Sequence, residues 1–474
     1  MKLCLSIAPS SMAEALRKLK SVNKSADLVE LRIDGIIDLD LQKLLRKPRP
    51  KVIVTNRRAE EGGKFTGTAE EQLSILTEAA TLGAEYIDIE MSWGIKTVNK
   101  LIANSRRASV IVSYHNFRET PDDIAVIYKS MRATKTDIIK IAAVAKAIED
   151  NKKIFDICEK AKKHRQPMIA LCMGEYGEIS RILAGKHGCF LSFGPLNPSE
   201  ATALGQHTIN DLKNIFRIHT LNSHTKVFGL VGNPVSHSKG IVFHNRVFAR
   251  RSVNAVYVNF LVDNLNSFFS TYREMITGMS ITMPFKQEVI PLLDHISEHA
   301  YVLGVVNTVV KQKRKLHGYN TDLPAIASLL KRQTSLRNKN VVVLGTGGTS
   351  RTMTFAALAN GAHTTVVGRT LEKTQSLARQ LGCNATTYDG IQDLPCDILM
   401  NGTSVGMAGN ELDQKLIPKK FLRNGMIVFD AVYNPPITQL LKDAEAAGCG
   451  IITGVEFFNR QAQLQSKLFL ESLS

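Results

Sequence analysis

The sequence predicts an α/β protein of two unlike parts: a (β/α)8 TIM barrel over residues 1–220, then a second α/β half built from two domains. Three observations predict it. Eight short β-branched runs alternate with helical periodicity over the first 220 residues; a polar stretch without apolar periodicity, His219 to Lys226, interrupts the pattern; and a second series of strands and helices then begins, with one strand running directly into a glycine-rich turn.

The eight strand candidates are Leu3–Ala8, Leu28–Ile33, Val52–Thr55, Tyr86–Ile89, Val110–Ser113, Ile138–Ala142, Met168–Cys172 and Phe190–Phe193. Helical periodicity falls between most of them, as at Glu70–Leu82, Pro121–Arg132, Ile148–Lys163 and Thr208–Ile218. Strands that are apolar throughout and joined by helical crossovers pair in parallel and are buried on both faces. Eight such units in this length close into a barrel more readily than they extend an open sheet. Past the junction the strand candidates are Val227–Val231, Ala255–Asn259, Val341–Leu344, Thr364–Val367, Ile398–Met400 and Met426–Asp430. The second half divides into residues 226–325, residues 326–454 and a C-terminal segment, 455–474.

Composition narrows the function classes. A length of 474 residues suits two or three domains. No window is apolar enough to span a membrane. The first residues read as a buried strand rather than a signal or transit peptide. Seven cysteines, none at C-x-x-C spacing, argue for reduced thiols, a cytoplasmic location and no zinc site. The net charge of +17 comes from scattered basic residues with no aromatic-studded stretch, which suits small anionic substrates better than nucleic acid.

Barrel enzymes place their reacting groups at the carboxyl ends of the strands. Those ends carry Glu30, Arg32, Arg57, Glu90, His115 and Lys140. Burying so many ionisable groups is costly unless they act together. Lys140 interrupts an apolar strand, Ile138-Ile139-Lys140-Ile141-Ala142. Apolar walls favour the neutral amine, which can condense with a ketone as a Schiff base. His115 lies on the preceding strand and suits proton transfer. Arg32, Arg57 and Arg181 can bind a carboxylate or hydroxyls.

These segments resemble type I 3-dehydroquinate dehydratase: Glu30-Leu31-Arg32, Arg57 with Glu61-Gly62-Gly63, Ser113 through Phe117, Lys140-Ile141-Ala142, Ile179-Ser180-Arg181 and Ala203 through Gln206. The resemblance covers nearly all of residues 1–215. It implies an imine at Lys140, proton transfer by His115, no metal, and a substrate held by Ser6, Glu30, Arg32, Arg57, Arg181, Thr202 and Gln206. Thr202 stands where the family has serine.

In the second half, Val341–Leu344 leads into Gly345-Thr346-Gly347-Gly348-Thr349-Ser350-Arg351, a Rossmann-type strand, turn and helix. Glycines let the backbone approach a pyrophosphate at the helix amino end. Ser350 replaces the third glycine of the strict pattern. At the end of the next strand, where an NAD site carries an acid, stands Gly368-Arg369-Thr370 with Lys373 nearby, which suits the 2′-phosphate of NADP. Thr282, Lys286, Asn307 and Asp322 can hydrogen-bond a polyhydroxylated ring, and a Lys–Asp pair can move a proton as hydride moves.

Together these stretches resemble shikimate dehydrogenase from about residue 226 to the end, along with Gly232 through Lys239, Asn401 through Met407, Asp430–Tyr433 and Gly454–Gln461. The resemblance implies a catalytic pair, Lys286 and Asp322. It implies substrate contacts from Ser236, Ser238, Thr282, Asn307, Tyr433 and Gln461. It also implies NADP contacts from Gly345, Thr346, Gly347, Gly348, Thr349, Gly368, Arg369, Thr370, Lys373, Asn401, Thr403 and Gly454. Gly240 stands where the family has a second serine, and Leu323 where it has glycine.

The two halves suit each other, because the ketone made by the first, 3-dehydroshikimate, is the one the second would reduce to shikimate. The expected partners are these small molecules, with neither nucleic acid nor membrane; oligomeric state is left open. Two alternatives stand beside this reading. The second half could act on quinate, or the chain could bind such metabolites as a non-catalytic sensor.

Overall fold

The computed structural model describes all residues except 23–24, 202–204, 237, 409–415 and 474. Eight parallel strands form the barrel: β1 (Lys2–Ile7), β2 (Leu28–Arg32), β3 (Val52–Thr55), β4 (Tyr86–Glu90), β5 (Ser109–Asn116), β6 (Ile138–Val144), β7 (Met168–Met173) and β8 (Leu191–Gly194). They are ordered β7-β6-β5-β4-β3-β2-β1-β8. β8 meets β7 through a backbone hydrogen bond from Phe190 to Met168 O, 2.7 Å.

Alternation along the strands sorts side chains into layers. One interior layer takes an apolar residue from seven strands, Cys4, Leu28, Ile53, Ile111, Ile138, Ile169 and Leu191, with Tyr86 of β4 packed against it. Two residues further along each strand, the same face presents Ser6, Glu30, Thr55, Asp88, Ser113, Lys140, Leu171 and Phe193. An apolar floor therefore supports a polar layer at the carboxyl ends. The crossover helices start where local chemistry dictates: Thr68 and Glu71 form a capping box for the helix Ala69–Thr81.

A six-stranded mixed sheet follows, made of β9 (Lys226–Gly232), β10 (Ala255–Leu261), β11 (Ile276–Ile281), β12 (His295–Ile296), β13 (Thr308–Gln312) and β14 (Lys315–Tyr319). Its order is β10-β9-β11-β13-β14-β12. The last sheet is parallel, in the order β17-β16-β15-β18-β19-β20. It contains β15 (Asn340–Leu344), β16 (His363–Gly368), β17 (Asn384–Thr387), β18 (Ile398–Asn401), β19 (Ile427–Asp430) and β20 (Gly450–Ile452). This order reverses direction at β15/β18, which opens a crevice at the strand carboxyl ends. The final helix, Gly454–Glu471, starts at a second capping box, Thr453 with Glu456. By contact the chain forms two compact units, residues 1–229 with 245–275, and 230–244 with 276–474.

One local reading differs from the structure. The helical pattern at Thr208–Ile218 yields a helix only over Ile209–Asn214, because Arg217 takes a left-handed backbone (φ 51°) and turns the chain. The basic run Lys311–Lys315 is the tip of the β13–β14 hairpin, with Lys313 and Arg314 at φ 49° and 69°. Two positive φ values make the mirror-type turn that normally favours Asn-Gly, so the turn carries no sequence signal. Among the described residues no helix is long and apolar enough to cross a membrane, and no cluster of three or more His, Cys, Asp or Glu could hold a metal.

Candidate active sites

Lys140 shares the interior face of β6 with Ile138 and Ala142, both members of the apolar cluster. Its Nζ donates to Glu30 Oε1 at 2.9 Å and to Asp88 Oδ2 at 3.1 Å. It also lies 4.8 Å from the centre of the Phe193 ring. Arg57 completes the charge network, donating to Asp88 Oδ1, Glu90 Oε1 and Ser113 Oγ, each at 2.8 Å. Ser6 Oγ donates to Glu30 Oε2 at 2.7 Å. Burial alone would raise the Asp88 and Glu30 carboxyls, but Arg57 and Lys140 hold Asp88, and Lys140 and Arg32 hold Glu30, below their ordinary ranges.

His115, on β5 beside β6, has its Nδ1 at 2.9 Å from Glu61 Oε2. Its ring stacks on Phe117. Burial, with Arg57 and Lys140 nearby, pushes the imidazole well below its ordinary titration, so it is neutral at pH 7. Burial raises Glu61. Gly62 takes φ 76°, and a Cβ there would stand 2.7 Å from the Phe117 ring, so glycine lets the Glu61 turn fold against that ring.

A cavity of about 560 Å³ gathers Glu30, Arg32, Arg57, Glu61, His115, Lys140, Arg181 and Gln206 around its wall. Arg32 is held by Asp34 through two hydrogen bonds, 2.8 and 2.9 Å. Arg181 differs: it is 2% exposed, its Nε has no hydrogen-bond partner, and burial lowers it to about 10. Its guanidinium lines the cavity wall, and no carboxylate among the described residues pairs with it. Thr202 lies outside the described residues. Asp88 was missed in the sequence; the only signal is an acid flanked by isoleucines in Tyr86-Ile87-Asp88-Ile89-Glu90.

In the second unit, Lys286 Nζ donates to Asp322 Oδ2 at 2.7 Å, with Asp322 heading the helix Asp322–Gln333. Asn307 Oδ1 accepts from Thr321 N at 2.8 Å, fixing the turn that delivers Asp322. Buried Gln465 donates to Asn307 O at 3.1 Å and to Thr308 Oγ1 at 3.0 Å. It accepts from Ser280 Oγ at 2.9 Å, tying β11 and β13 to the last helix. Sequence reading named Gln461, one turn earlier and half-buried, and missed Gln465. Tyr433 is hydrogen-bonded to Ser238, and burial raises its phenol. Thr282 is half-buried at the end of β11, whereas Ser236 is exposed.

Gly345 ends β15 at φ 98°, and a Cβ there would stand 2.7 Å from both Ser350 Oγ and Thr403 Cγ2. Ser350 fills the place of the third glycine: its Oγ donates to Leu344 O at 3.0 Å, and the missing side chain of Gly402 makes room for it. The turn closes on the Lys–Asp pair, since a Cβ on Gly348 would stand 3.4 Å from Lys286 Cδ. Thr346 and Thr349 are half-buried in this turn and Gly347 is exposed. Arg369, Thr370 and Lys373 are exposed beyond β16, with Gly368 packed against Thr374. Asn401 and Thr403 join at the end of β18, and Gly454 packs on Val432. These groups fit a dinucleotide: glycine backbone for the pyrophosphate, and basic side chains at the second strand for a 2′-phosphate.

Three family models match, described as Type I 3-dehydroquinase over residues 3–223, shikimate dehydrogenase substrate binding domain over 230–309, and shikimate/quinate 5-dehydrogenase over 328–408. A chloroplastic bifunctional 3-dehydroquinate dehydratase/shikimate dehydrogenase of Arabidopsis thaliana is 36% identical, over 97% of this chain and 81% of its own. A shikimate dehydrogenase (NADP(+)) of Pyrococcus furiosus is 40% identical over 50% of this chain and 86% of its own. A shikimate dehydrogenase crystallised with NADP+ aligns with a TM-score of 0.50 and 31% identity, covering 53% of this chain and 92% of its own. With one relative similar along the full length and each half matched by its own family, the chain belongs to the bifunctional 3-dehydroquinate dehydratase/shikimate dehydrogenases of the shikimate pathway.

Proposed function

We propose that the barrel dehydrates 3-dehydroquinate to 3-dehydroshikimate through an imine on Lys140, and that the second half reduces this product to shikimate with NADPH. The observation that carries the barrel reading is a buried amine, a neutral histidine and a buried arginine, unpaired by any carboxylate among the described residues, around one cavity. Arg181 takes the substrate carboxylate and so draws the ketone towards Lys140. Lys140 passes a proton to Glu30, its freed amine adds to the carbonyl, and that proton departs with the carbonyl oxygen as water, giving an iminium that acidifies the adjacent C–H. With Glu61 accepting from Nδ1–H, His115 keeps Nε2 free as the base; it removes that proton and returns it to the departing hydroxyl, which leaves as water. Hydrolysis of the imine restores Lys140.

In the second half, NADPH supplies a hydride when bound. Lys286, charged and oriented by Asp322, donates the proton that the carbonyl oxygen needs as it becomes the alcohol. Ser238, Tyr433, Thr282 and Asn307 orient the ring. Arg369, Thr370 and Lys373 select the 2′-phosphate. We assign residues 1–220, 226–325 with 455–474, and 326–454 to dehydratase, substrate and cofactor domains. The seven free cysteines suit a reducing compartment, and we place the enzyme in the cytosol.

The test is to mix the protein with 3-dehydroquinate and NADPH, following the enone absorbance and NADPH together. A transient enone followed by NADPH loss is the expected result. Enone accumulation without NADPH loss refutes the second half's substrate, and no change in either refutes both.

A further inference from the structure

The carboxyl ends of β18 and β19 are joined by one hydrogen-bonded knot centred on Asp430, which packs against the turn after β15. Its Oδ1 accepts from Asn401 Nδ2 at 2.9 Å and Val432 N at 3.0 Å, and its Oδ2 accepts from Thr438 Oγ1 at 2.6 Å. Asn401 Oδ1 accepts from Thr403 N and Oγ1 at 2.9 and 2.7 Å. Thr403 lies against Gly345, and Val432 O stands 2.1 Å from where a Cβ on Gly454 would be. The knot therefore touches the glycine turn on one side and the start of the last helix on the other. Those are two of the segments that the dehydrogenase reading assigns to the cofactor.

Asp430 is fully buried, and among the described residues no cation pairs with it; its neighbours are neutral donors. Burial raises its titration to about 6, with Thr438, Val432 and Asn401 limiting the rise. The carboxylate is thus ionised at pH 8 and uncompensated. A buried charge of this kind costs stability, and it favours any cation that arrives beside it.

A nicotinamide ring is neutral when reduced and carries a positive charge when oxidised. We infer that Asp430 acts on the redox state of the nicotinamide cofactor through its field, stabilising the oxidised, cationic form relative to the reduced one. This rests on the dehydrogenase reading. The bound cofactor would supply the hydride; Asp430 would add its negative field to the pocket that holds it, and the proton for the carbonyl oxygen would come from the Lys286–Asp322 pair. Asp430 is a positioning residue, acting across the knot and not by contact with substrate.

The experiment measures dissociation constants for NADP+ and NADPH on the full chain, by calorimetry without substrate, at about pH 8, where an ordinary carboxyl is ionised. Asp430→Asn preserves the side-chain shape and removes the charge. Its NADP+ affinity should fall about tenfold, with NADPH affinity nearly unchanged. Equal weakening of both cofactors, or no change in either, overturns the inference. Thr438→Val, measured at about pH 6.5, gives a second route: it removes a donor that holds the carboxyl ionised and should weaken NADP+ selectively. An unchanged NADP+/NADPH ratio there also overturns it. Failure of the wild-type chain to bind either cofactor would overturn the dehydrogenase reading itself, and is distinct from both.

Discussion

Asp88 and Lys140 face each other inside the barrel, two strands apart, with Oδ2 and Nζ separated by 3.1 Å. Asp88 turns its other oxygen to Arg57 at 2.8 Å and accepts from Ser113 at 2.7 Å. One carboxylate therefore couples the reactive amine to the arginine, and both to the strand that carries His115. A network of this kind sets the position of Lys140 to within the reach of one carbonyl, at the expense of making each member depend on the others.

Lys140→Ala should abolish dehydration and the borohydride-trapped adduct while dehydrogenation continues. It also leaves buried Glu30 without its ion-pair partner and Asp88 with Arg57 alone, so the barrel should lose about 3–5 kcal/mol of stability. Mass spectrometry after borohydride and calorimetric unfolding check the two effects; a retained adduct would refute the imine assignment.

His115→Gln should slow dehydration by about 10²–10⁴-fold, the usual contribution of a general base. Because Lys140 is untouched, substrate should still be trapped by borohydride. In the wild-type chain the neutral imidazole predicts dehydration that stays level from about pH 8 down through 6.5, with no loss at the ordinary histidine titration. A break near that pH would contradict the depressed imidazole.

Acid should unfold the barrel through its buried carboxylates. Asp88 and Glu30 titrate lower in the folded chain than in the unfolded one, so their stabilisation is complete above about pH 4 to 5 and is lost as pH falls through and below that range. Each unit of separation is worth about 1.4 kcal/mol. Thermal unfolding between pH 6 and 3 should show the barrel midpoint falling, and Asp88→Asn should flatten that slope.

Arg369→Ser should raise the Michaelis constant for NADPH by about tenfold, the loss of roughly one charge-assisted contact, and leave that for NADH unchanged. Steady-state kinetics with both cofactors decide this. Equal effects on the two would remove Arg369 from 2′-phosphate recognition.

Lys286→Ala should sharply lower the dehydrogenase turnover number, with dehydration unaffected because each half has its own core. A normal turnover number would take Lys286 out of proton transfer.

Most of both sites was legible because their chemistry interrupts regular patterns. Lys140 breaks an apolar strand, the glycine turn ends another, and Arg369 replaces an expected acid. Asp88 and Gln465 gave no such signal. A single acid in a strand and a glutamine on an amphipathic helix are common, and only their partners distinguish them. The Lys313-Arg314 turn was hidden for a related reason: its backbone is imposed by the pairing of β13 with β14, not by residues that prefer it.

The sequence by itself determined the alternation of strands and helices, the barrel class of the first half, the glycine turn, and the identity of Lys140, His115, Lys286 and Asp322, because period and residue type are local properties. Only the tertiary structure decided that Arg181 is buried at the cavity wall, that Asp88 joins Lys140 to Arg57, and that Asp430 is buried among neutral donors at the ends of β18 and β19. Burial and partnership depend on which strands are brought side by side, and the electrostatics of a site follow from those distances, which no single stretch of chain contains.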